Sequence, residues 1–291
     1  MQNLESLKHT IKTCEDLQSV VRTMKTLAAV NIRQYEEAVF ALQDYARTID
    51  MGLQVILSNN PTIAIRNQDS GSRIGVVLFG SDQGMCGQLN DRITQYAHTM
   101  LETMGVSISD VMALIVGTRA AGRLEDLNWP VLSGPDVPGG LDGITPCVHE
   151  ILLTLDRWQH QQQVGQIMLF YSKHRAGVFL HPHMDRLLPF DEKWVSILRE
   201  KSWPTRALPL TTMHPNHLFS SLVRQYLFIS LFRGFAESLA SENASRLRSM
   251  QNAEKNLEDR LSELQSQFSQ ERQLIITGEL LDLVSGFESL Q

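Results

Sequence analysis

The chain has 291 residues, with 26 Lys and Arg against 32 Asp and Glu, and therefore a formal net charge of −6. Its 43% of hydrophobic residues can build a buried core, which excludes wholesale disorder, and its length allows one large domain or two modest ones. The acidic balance argues against a general nucleic-acid-binding protein, whose binding face is basic. Three scattered cysteines do not form a disulfide framework or zinc motif, and no apolar run approaches the ~18 residues of a membrane span. With no signal peptide visible, we expect a protein of a reducing cytoplasm.

Proline and glycine divide the chain into three parts. All ten prolines and fourteen of the eighteen glycines lie between Pro61 and Pro215. Because both residues interrupt helices and build turns, the two ends should be helical and the middle rich in turns. The sequence predicts an N-terminal coiled-coil helix over 1–60, an α/β domain over 61–215 and a C-terminal coiled-coil helix over 216–291.

Apolar residues repeat every seven positions through the first 60 residues. The main row consists of Leu7, Cys14, Val21, Ala28, Tyr35, Leu42, Ile49 and Ile56. A companion row three residues later consists of Leu17, Met24, Asn31, Ala38 and Tyr45, with Leu4 and Ile11 on the other side. A straight helix drifts off a strict heptad by ~20° per repeat, so eight steps favour a coiled-coil seam over an ordinary amphipathic helix.

The last segment carries a shorter seam of the same kind. Its rows are Leu247, Leu261, Phe268 and Ile275, interrupted by Glu254, and Met250, Leu257 and Leu264. Two seams at opposite ends of one chain predict an antiparallel intramolecular pair, with Val21 and Met24 facing the late part of the C-terminal helix. An unbroken helix of ~70 residues is ~105 Å long, so we expect it to extend past the first helix and leave apolar side chains that need another partner.

The middle of the chain predicts a sheet with helices. Three short apolar runs, at 74–79, 111–116 and 167–171, are typical of strands buried on both faces of a parallel sheet. Helical patterns follow the first run and precede the third. The predicted fold is therefore α/β, with a long antiparallel coiled coil of the N- and C-terminal helices plus a small α/β domain with a mainly parallel sheet.

Two motifs could carry chemistry, and both have simpler structural explanations. Residues 80–87 (GSDQGMCG) follow the first strand, where a phosphate loop is found, but they match neither GxGxxG nor GxxxxGK[ST]. A turn is favoured there over a nucleotide site. His174, His181, His183 and Asp185 are clustered, yet clustered histidines alone are weak evidence for a metal, and a polar strand edge is favoured. We predict no catalytic residue, no cofactor and no metal.

Four stretches resemble the gamma subunit of F-type ATP synthases. Residues 21–29 (VRTMKTLAA) resemble its N-terminal Met-Lys motif, and residues 80–90 (GSDQGMCGQLN) are similar to its Gly-Leu-Cys-Gly-x-Leu-Asn block. Residues 241–253 (SENASRLRSMQNA) and 272–281 (RQLIITGELL) resemble its two C-terminal signatures. The stretch 105–215 matches the family only in architecture.

The resemblance implies the central rotor shaft of a rotary ATP synthase or ATPase, which couples ion flow through the membrane ring to ATP synthesis or hydrolysis. In that family the chemistry belongs to other subunits, so we expect a non-catalytic subunit of a proton- or sodium-translocating complex. The implied partners are the alpha and beta subunits of the catalytic ring, the epsilon subunit and the membrane c-ring. We expect no nucleic acid, no direct membrane insertion, and a peripheral location on the cytoplasmic face of the membrane.

The resemblance also implies which residues contact the ring. They are Arg22, Met24, Lys25, Arg246, Arg272, Gln273, Thr277 and Glu279. We expect the polar members of this set to be exposed in the isolated chain, because a side chain that contacts another subunit must lie on the surface. An arginine there can donate two hydrogen bonds to a carboxylate on an acidic loop of a neighbouring subunit. In the isolated chain they should behave as ordinary solvated helix residues.

Three departures from the family pattern suggest a divergent branch, such as an alternative ion-translocating F-type ATPase, and one of them is Gln88, which stands where the loop usually has a second glycine. Residues 31–37 read NIRQYEE where the family usually carries several Lys and Arg, and Gly278 stands where it commonly has Gln. Two other functions are compatible with the residue patterns. A coiled-coil scaffold or tether with a ligand-binding α/β domain predicts a homodimeric coil, and a nucleotide-using enzyme predicts a polar pocket at the strand ends.

Overall fold

The computed structural model describes residues 4–59, 73–175, 178–203 and 212–288. Contacts group the chain into two units. One consists of the residues up to Ala28 together with those from Arg246 onward, and we name it the terminal helix pair. The other consists of residues 29–245, and we name it the α/β unit. The three-part division of the chain at residues 60 and 215 stays a prediction.

The described residues form six α-helices and five β-strands. The helices are α1 (Leu4–Asn59), α2 (Leu89–Thr103), α3 (Thr118–Glu125), α4 (Ile144–Gln161), α5 (Glu192–Glu200) and α6 (Pro215–Glu288). The strands are β1 (Arg73–Phe79), β2 (Val111–Val116), β3 (Val131–Ser133), β4 (Val164–Arg175) and β5 (Val178–Leu188). Within this part of the chain, no helix combines the length and apolar character needed to cross a membrane.

The five strands form one sheet in the order β3-β2-β1-β4-β5. The first four are parallel, with Val76 of β1 opposite Ala113 of β2 and Met168 of β4. Strand β5 runs antiparallel to β4 at the edge. The predicted mainly parallel sheet is therefore confirmed, and the polar stretch around His183 lies on its edge strand.

The apolar runs form the centre of the sheet because both of its faces are covered. On one face, Leu78 and Phe170 belong to a buried cluster with residues of α2 and α3. On the opposite face, Val77 and Leu169 belong to a second cluster with residues of α4 and α6. Because the side chains on both faces of these strands are buried against apolar neighbours, polar and apolar residues do not alternate and the apolar runs are continuous.

Helix α6 crosses the second face at close range. Gly234 is the residue that allows this, since a Cβ atom there would lie 2.8 Å from Leu169 Cδ2. Within the α/β unit α1 runs antiparallel to α6, because Asn31 Nδ2 is 3.5 Å from Asn243 Oδ1 and Tyr45 Oη donates to Gln225 Oε1 at 2.7 Å.

The main heptad row of α1 is confirmed, because each of its eight residues from Leu7 to Ile56 is buried or half-buried. The companion row is wrong at two of its five positions, since Leu17 is 49% exposed and Tyr45 is also exposed. The second covered row instead lies four residues after the first, and consists of Ile11, Gln18, Lys25, Ile32, Val39, Ala46 and Leu53. A seven-residue period does not determine on which side of the main row the second covered row lies. The position of the partner helix determines it.

Candidate functional site

In the terminal helix pair, the two helices run antiparallel. Gln18 Nε2 of α1 lies 3.5 Å from Glu258 Oε1 of α6, and Arg22 Nε donates to Glu254 Oε1 at 3.1 Å. Residue numbers rise along α1 as their partners' numbers fall along α6, which is the antiparallel arrangement. The predicted pairing of the two ends within one chain is therefore confirmed, but the residues next to Val21 and Met24 contact Glu254 near the middle of α6 and not its late part.

Few apolar side chains of this pair are buried. Among its described residues, those that are buried and apolar are Leu7, Ala28, Met250, Leu261 and Leu264. In the described stretches 8–27 of α1 and 251–260 of α6, no apolar side chain is buried. The apolar seam residues in the middle of the pair, such as Val21 and Leu257, are only half-buried, so other contacts can contribute more there.

An ionic cluster occupies that middle section. Glu254 accepts hydrogen bonds from Arg22 and from Lys25 Nζ, and Arg22 Nη2 also lies 3.6 Å from Glu258 Oε1. The Glu254 side chain is only 16% exposed. The hydrogen bond from Lys25, supported by Arg22, lowers the pKa of the Glu254 carboxyl. We name Glu254, Arg22 and Lys25 the Glu254 cluster.

The Glu254 cluster changes the interpretation of two predicted ring contacts. Arg22 and Lys25 were expected to be ordinary solvated helix residues, whereas each bonds Glu254 within the chain. Sequence analysis noted Glu254 only as an interruption of an apolar row. An acid at a seam position, read together with the two cations of the opposite helix, is the signal that could have identified the cluster.

An apolar stripe lies beside the cluster on α1. Three of its members are exposed and Met24 is half-buried. The stripe consists of Leu17, Val20, Met24 and Leu27. Steps of three and four residues place these side chains on one face of the helix. Sequence analysis assigned Leu17 and Met24 to the seam, but Leu17 belongs to this outer face.

Arg246 differs from the other predicted contacts because its side chain is buried, with 8% exposed. The expectation that it is exposed is wrong. It ends an uninterrupted run of buried residues, 238–246, in which α6 is covered on all sides. Six of these residues are polar or charged: Ser238, Ser241, Glu242, Asn243, Ser245 and Arg246. A pattern of residue types cannot reveal such a segment, because buried polar residues look like surface residues in a sequence.

The remaining predicted contacts lie close together near the end of α6. Arg272, Gln273, Thr277 and Glu279 are all exposed. Exposed apolar side chains, each 46–67% accessible, are interleaved with them: Leu274, Ile275, Ile276, Leu280, Leu281, Leu283 and Val284. We name residues 272–284 the α6 tip.

The α6 tip has no counterpart on α1 within the described residues. Counting fourteen residues back from Gln18 to Leu4, where the described part of α1 begins, and fourteen forward from Glu258 reaches Arg272. Residues beyond Arg272 therefore lie past the described start of α1. The sequence-based expectation that the longer helix leaves apolar side chains without a partner agrees with this arrangement.

In the α/β unit, the loop 80–87 is tied into the fold by its own polar groups. Asp82 accepts hydrogen bonds from the backbone N–H groups of Thr118 and Val137, at 2.8 and 2.9 Å. Asn90 Oδ1 accepts from Ser81 N at 3.0 Å. Gly117 has φ 108°, and a Cβ there would lie 2.6 Å from Ser81 N, so two turns meet at this point. This geometry supports the interpretation as a structural turn, and the absence of nucleotide binding stays a prediction.

The histidine cluster also takes part in local bonding. His183 Nε2 lies 2.9 Å from Asp185 Oδ1, and Tyr171 Oη donates to Asp185 Oδ2 at 2.9 Å. Burial lowers the pKa of His183. The side chain of His174 falls outside those that the structure describes. Among the side chains that are described, no group of three or more His, Cys, Asp or Glu could hold a metal ion.

Comparison with known sequences gives matches over almost the whole chain. A protein-family model described as ATP synthase matches residues 3–290. The chain is 26% identical to the ATP synthase gamma chain of Salinibacter ruber over 309 aligned positions, covering 100% of this chain and 99% of that one. It is 24% identical to the ATP synthase gamma chain of Nitrosomonas europaea, covering 98% and 99% of the two chains.

Comparison with solved structures shows the same fold at lower identity. A chain of the rotor of the Euglena gracilis mitochondrial ATP synthase aligns with a TM-score of 0.65 at 14% identity, covering 94% of this chain and 98% of that one. A chain of the central stalk and c-ring of the Tetrahymena thermophila mitochondrial ATP synthase aligns with a TM-score of 0.56 at 19% identity, covering 80% and 99%.

Proposed function

The chain belongs to the ATP synthase gamma-chain family, and on that premise we propose how it works as the central rotor shaft of a rotary ATP synthase. Its rotation couples ion flow through a membrane ring to ATP synthesis or hydrolysis in a ring of alternating alpha and beta subunits. We propose that this chain carries none of the bond-making chemistry and acts by presenting an asymmetric surface to the catalytic subunits.

The α6 tip is the observation that carries this proposal. Seven exposed apolar side chains on a helix without a described counterpart form a surface that water solvates poorly. The polar members Arg272, Gln273, Thr277 and Glu279 provide donors and acceptors among them. A helix with this composition is suited to a position surrounded by other subunits. These subunits would cover the apolar residues and form hydrogen bonds with the polar ones.

We assign the other partners by the same reasoning. Arg22, Met24 and Lys25, with the apolar stripe beside them, form a second contact surface for the alpha and beta subunits. Arg246 can join them only if its buried side chain turns outward. The α/β unit is proposed to meet the epsilon subunit and the c-ring, which puts the chain at the cytoplasmic face of the membrane.

The test is a paired substitution at the tip. Arg272→Ala with Gln273→Ala in the reconstituted enzyme should lower ATP turnover or coupled ion pumping by about tenfold, because a hydrogen bond to a charged group is worth about 1.5–3 kcal/mol. The melting temperature of the free subunit should not change, since both side chains are exposed.

A matched control uses the same residue types on the paired section of α6. Arg260→Ala with Gln267→Ala removes two exposed side chains, and Arg260 pairs with Glu263 of its own helix. This control should affect turnover far less. Unchanged turnover and pumping in the tip variant would remove both residues from the mechanism, and an equal loss of melting temperature would make their role structural.

Copy number separates the rotor from the scaffold or tether. A rotor purifies as one copy with a six-membered ring of ATPase subunits, because its two ends pair within the chain. A scaffold purifies as a homodimer in which the coil forms between chains. Mass spectrometry of the intact purified complex distinguishes these outcomes, and a homodimer without ring subunits would contradict the proposed function.

A further inference from the structure

We propose that Glu254 is a positioning residue that holds the two helices of the terminal pair together, through Arg22 and Lys25, where no apolar side chain is buried. The functional consequence that we infer, which is the transmission of torque along the helix pair, rests on the proposed rotor function. The bonding itself depends only on the geometry of the helix pair.

The need for such a residue follows from the distribution of buried side chains. On α6 the buried apolar side chains nearest to Glu254 are Met250 on one side and Leu261 and Leu264 on the other, and on α1 the stretch without a buried apolar side chain lies between Leu7 and Ala28. The stretch 251–260 of α6 corresponds to about 15 Å of helix. Apolar burial is the dominant force that joins helices, and in this section the apolar seam residues, such as Val21 and Leu257, are only half-buried.

Glu254 provides additional attraction in this section. It lies on α6 between Met250 and Leu261 and bonds two cations that are three residues apart on α1. Its low exposure, 16%, reduces screening by salt relative to a fully exposed pair. One turn further along, Gln18 and Arg22 both approach Glu258, at 3.5 and 3.6 Å, which extends the bonding along the seam.

Removal of the carboxylate does more than delete an attraction. Arg22 and Lys25 would then be like charges on neighbouring positions of the same helix, with Lys25 still half-buried at the seam. The two helices should separate in this section to solvate Lys25. A shaft that opens there absorbs twist, so less of the rotation at one end reaches the other.

The experiment compares two isosteric substitutions on the same helix. Glu254→Gln removes the carboxylate of the cluster, and Glu263→Gln removes one that pairs with Arg260 within α6. In the full chain, hydrogen exchange of residues 14–25 should become about tenfold faster in Glu254→Gln, as expected from the loss of charge-assisted hydrogen bonds. Glu263→Gln should match the wild type.

The same variants are then assembled into the complete enzyme. Glu254→Gln should lower the number of ions pumped per ATP by about twofold while ATP hydrolysis continues, and the deficit should grow with added salt as the remaining ionic contacts are screened. The exchanged pair Lys25→Glu with Glu254→Lys restores an opposite-charge contact across the helices, and should recover the protection of residues 14–25 in the isolated chain.

Each outcome decides the proposal. Unchanged hydrogen exchange in Glu254→Gln contradicts the bonding role, and faster exchange with unchanged coupling contradicts the positioning role. If Glu254→Gln does not fold, Lys25→Met removes the same contact from the opposite helix. Failure of the wild-type chain to assemble with ring subunits would contradict the proposed function instead, and the exchange measurement on the isolated chain would still test the cluster.

Discussion

The two units of this chain are stabilised in different ways. The α/β unit has apolar clusters on both faces of its sheet, including buried aromatic pairs such as Phe79 and Phe235, whose ring centroids are 4.4 Å apart. The terminal helix pair buries five apolar side chains among its described residues and relies on an ionic cluster between them. The α/β unit can bury its apolar residues within the chain. The terminal helix pair leaves apolar residues exposed, as expected for a surface that binds other subunits.

Helix α6 shows this difference within one element. Residues 238–246 are buried on all sides, whereas residues 279–285 are all exposed. Its two glycines that the structure describes in full reflect the same contrast, since Gly234 packs directly against Leu169 and Gly278 has no atom within 4 Å of a Cβ built on it. The helix therefore changes from a core element to a bare surface along its length.

The largest expected effect comes from the core of the α/β unit. Phe235→Ala should lower the free energy of unfolding by about 3–5 kcal/mol, because the side chain is fully buried against Phe79. Chemical denaturation of the full chain measures the change. Phe40→Ala on exposed α1 surface is the control, expected within about 0.5 kcal/mol of wild type. Equal losses in both variants would contradict the division into core and surface.

The two glycines of α6 should respond with opposite signs. Gly278→Ala should stabilise the chain by about 0.5–1 kcal/mol, since alanine favours the helix and the added methyl group meets open space. Gly234→Ala gains the same helix preference but forces a carbon to 2.8 Å from Leu169, and overpacking of this kind costs about 1–3 kcal/mol. The expected net result is a loss of about 1 kcal/mol, visible as melting shifts in opposite directions.

The smallest expected effect is a pH response that differs between the units. The pKa of Glu254 is lowered by Lys25, so its contribution is fully present above the ordinary value of 4.5 and is lost as pH falls through the lowered value. The pKa of Glu237, in the α/β unit, is raised by burial although Lys173 and Arg233 oppose this, so its contribution to stability declines as pH rises through the raised value.

Region-resolved hydrogen exchange between about pH 7 and about pH 3 tests that difference. Protection of the α/β unit should rise slightly on acidification in the wild type, and Glu237→Gln should abolish the rise. Protection of residues 14–25 should fall only at the acid end, and Glu254→Gln should be insensitive there. A fall in both units over the same pH range would indicate a shared cause and would contradict the assignment to these two carboxyls.

Much of the architecture could be predicted from periodicity alone. The eight-step row from Leu7 to Ile56 indicates one covered face of a long helix, because helical geometry returns side chains to the same face every seven residues. The apolar runs at 74–79 and 111–116 predict buried strands for the same local reason. Near the end of α6, Arg272, Gln273, Thr277 and Glu279 are exposed as expected, whereas the prediction that Ile275 lies in the seam is wrong, because its side chain is exposed.

Tertiary structure decided what lies opposite each of these faces. The companion row of α1 falls on the side of Lys25 rather than Leu17, and Arg246 is buried although its residue type favours the surface. Glu254 gains its role from Arg22, a residue 232 positions away in the chain. Periodicity determines which side chains share a face, since that depends on local backbone geometry. Which segment packs against a given helix face depends on contacts between residues that are distant in the sequence. The residue pattern of a single segment does not show these contacts.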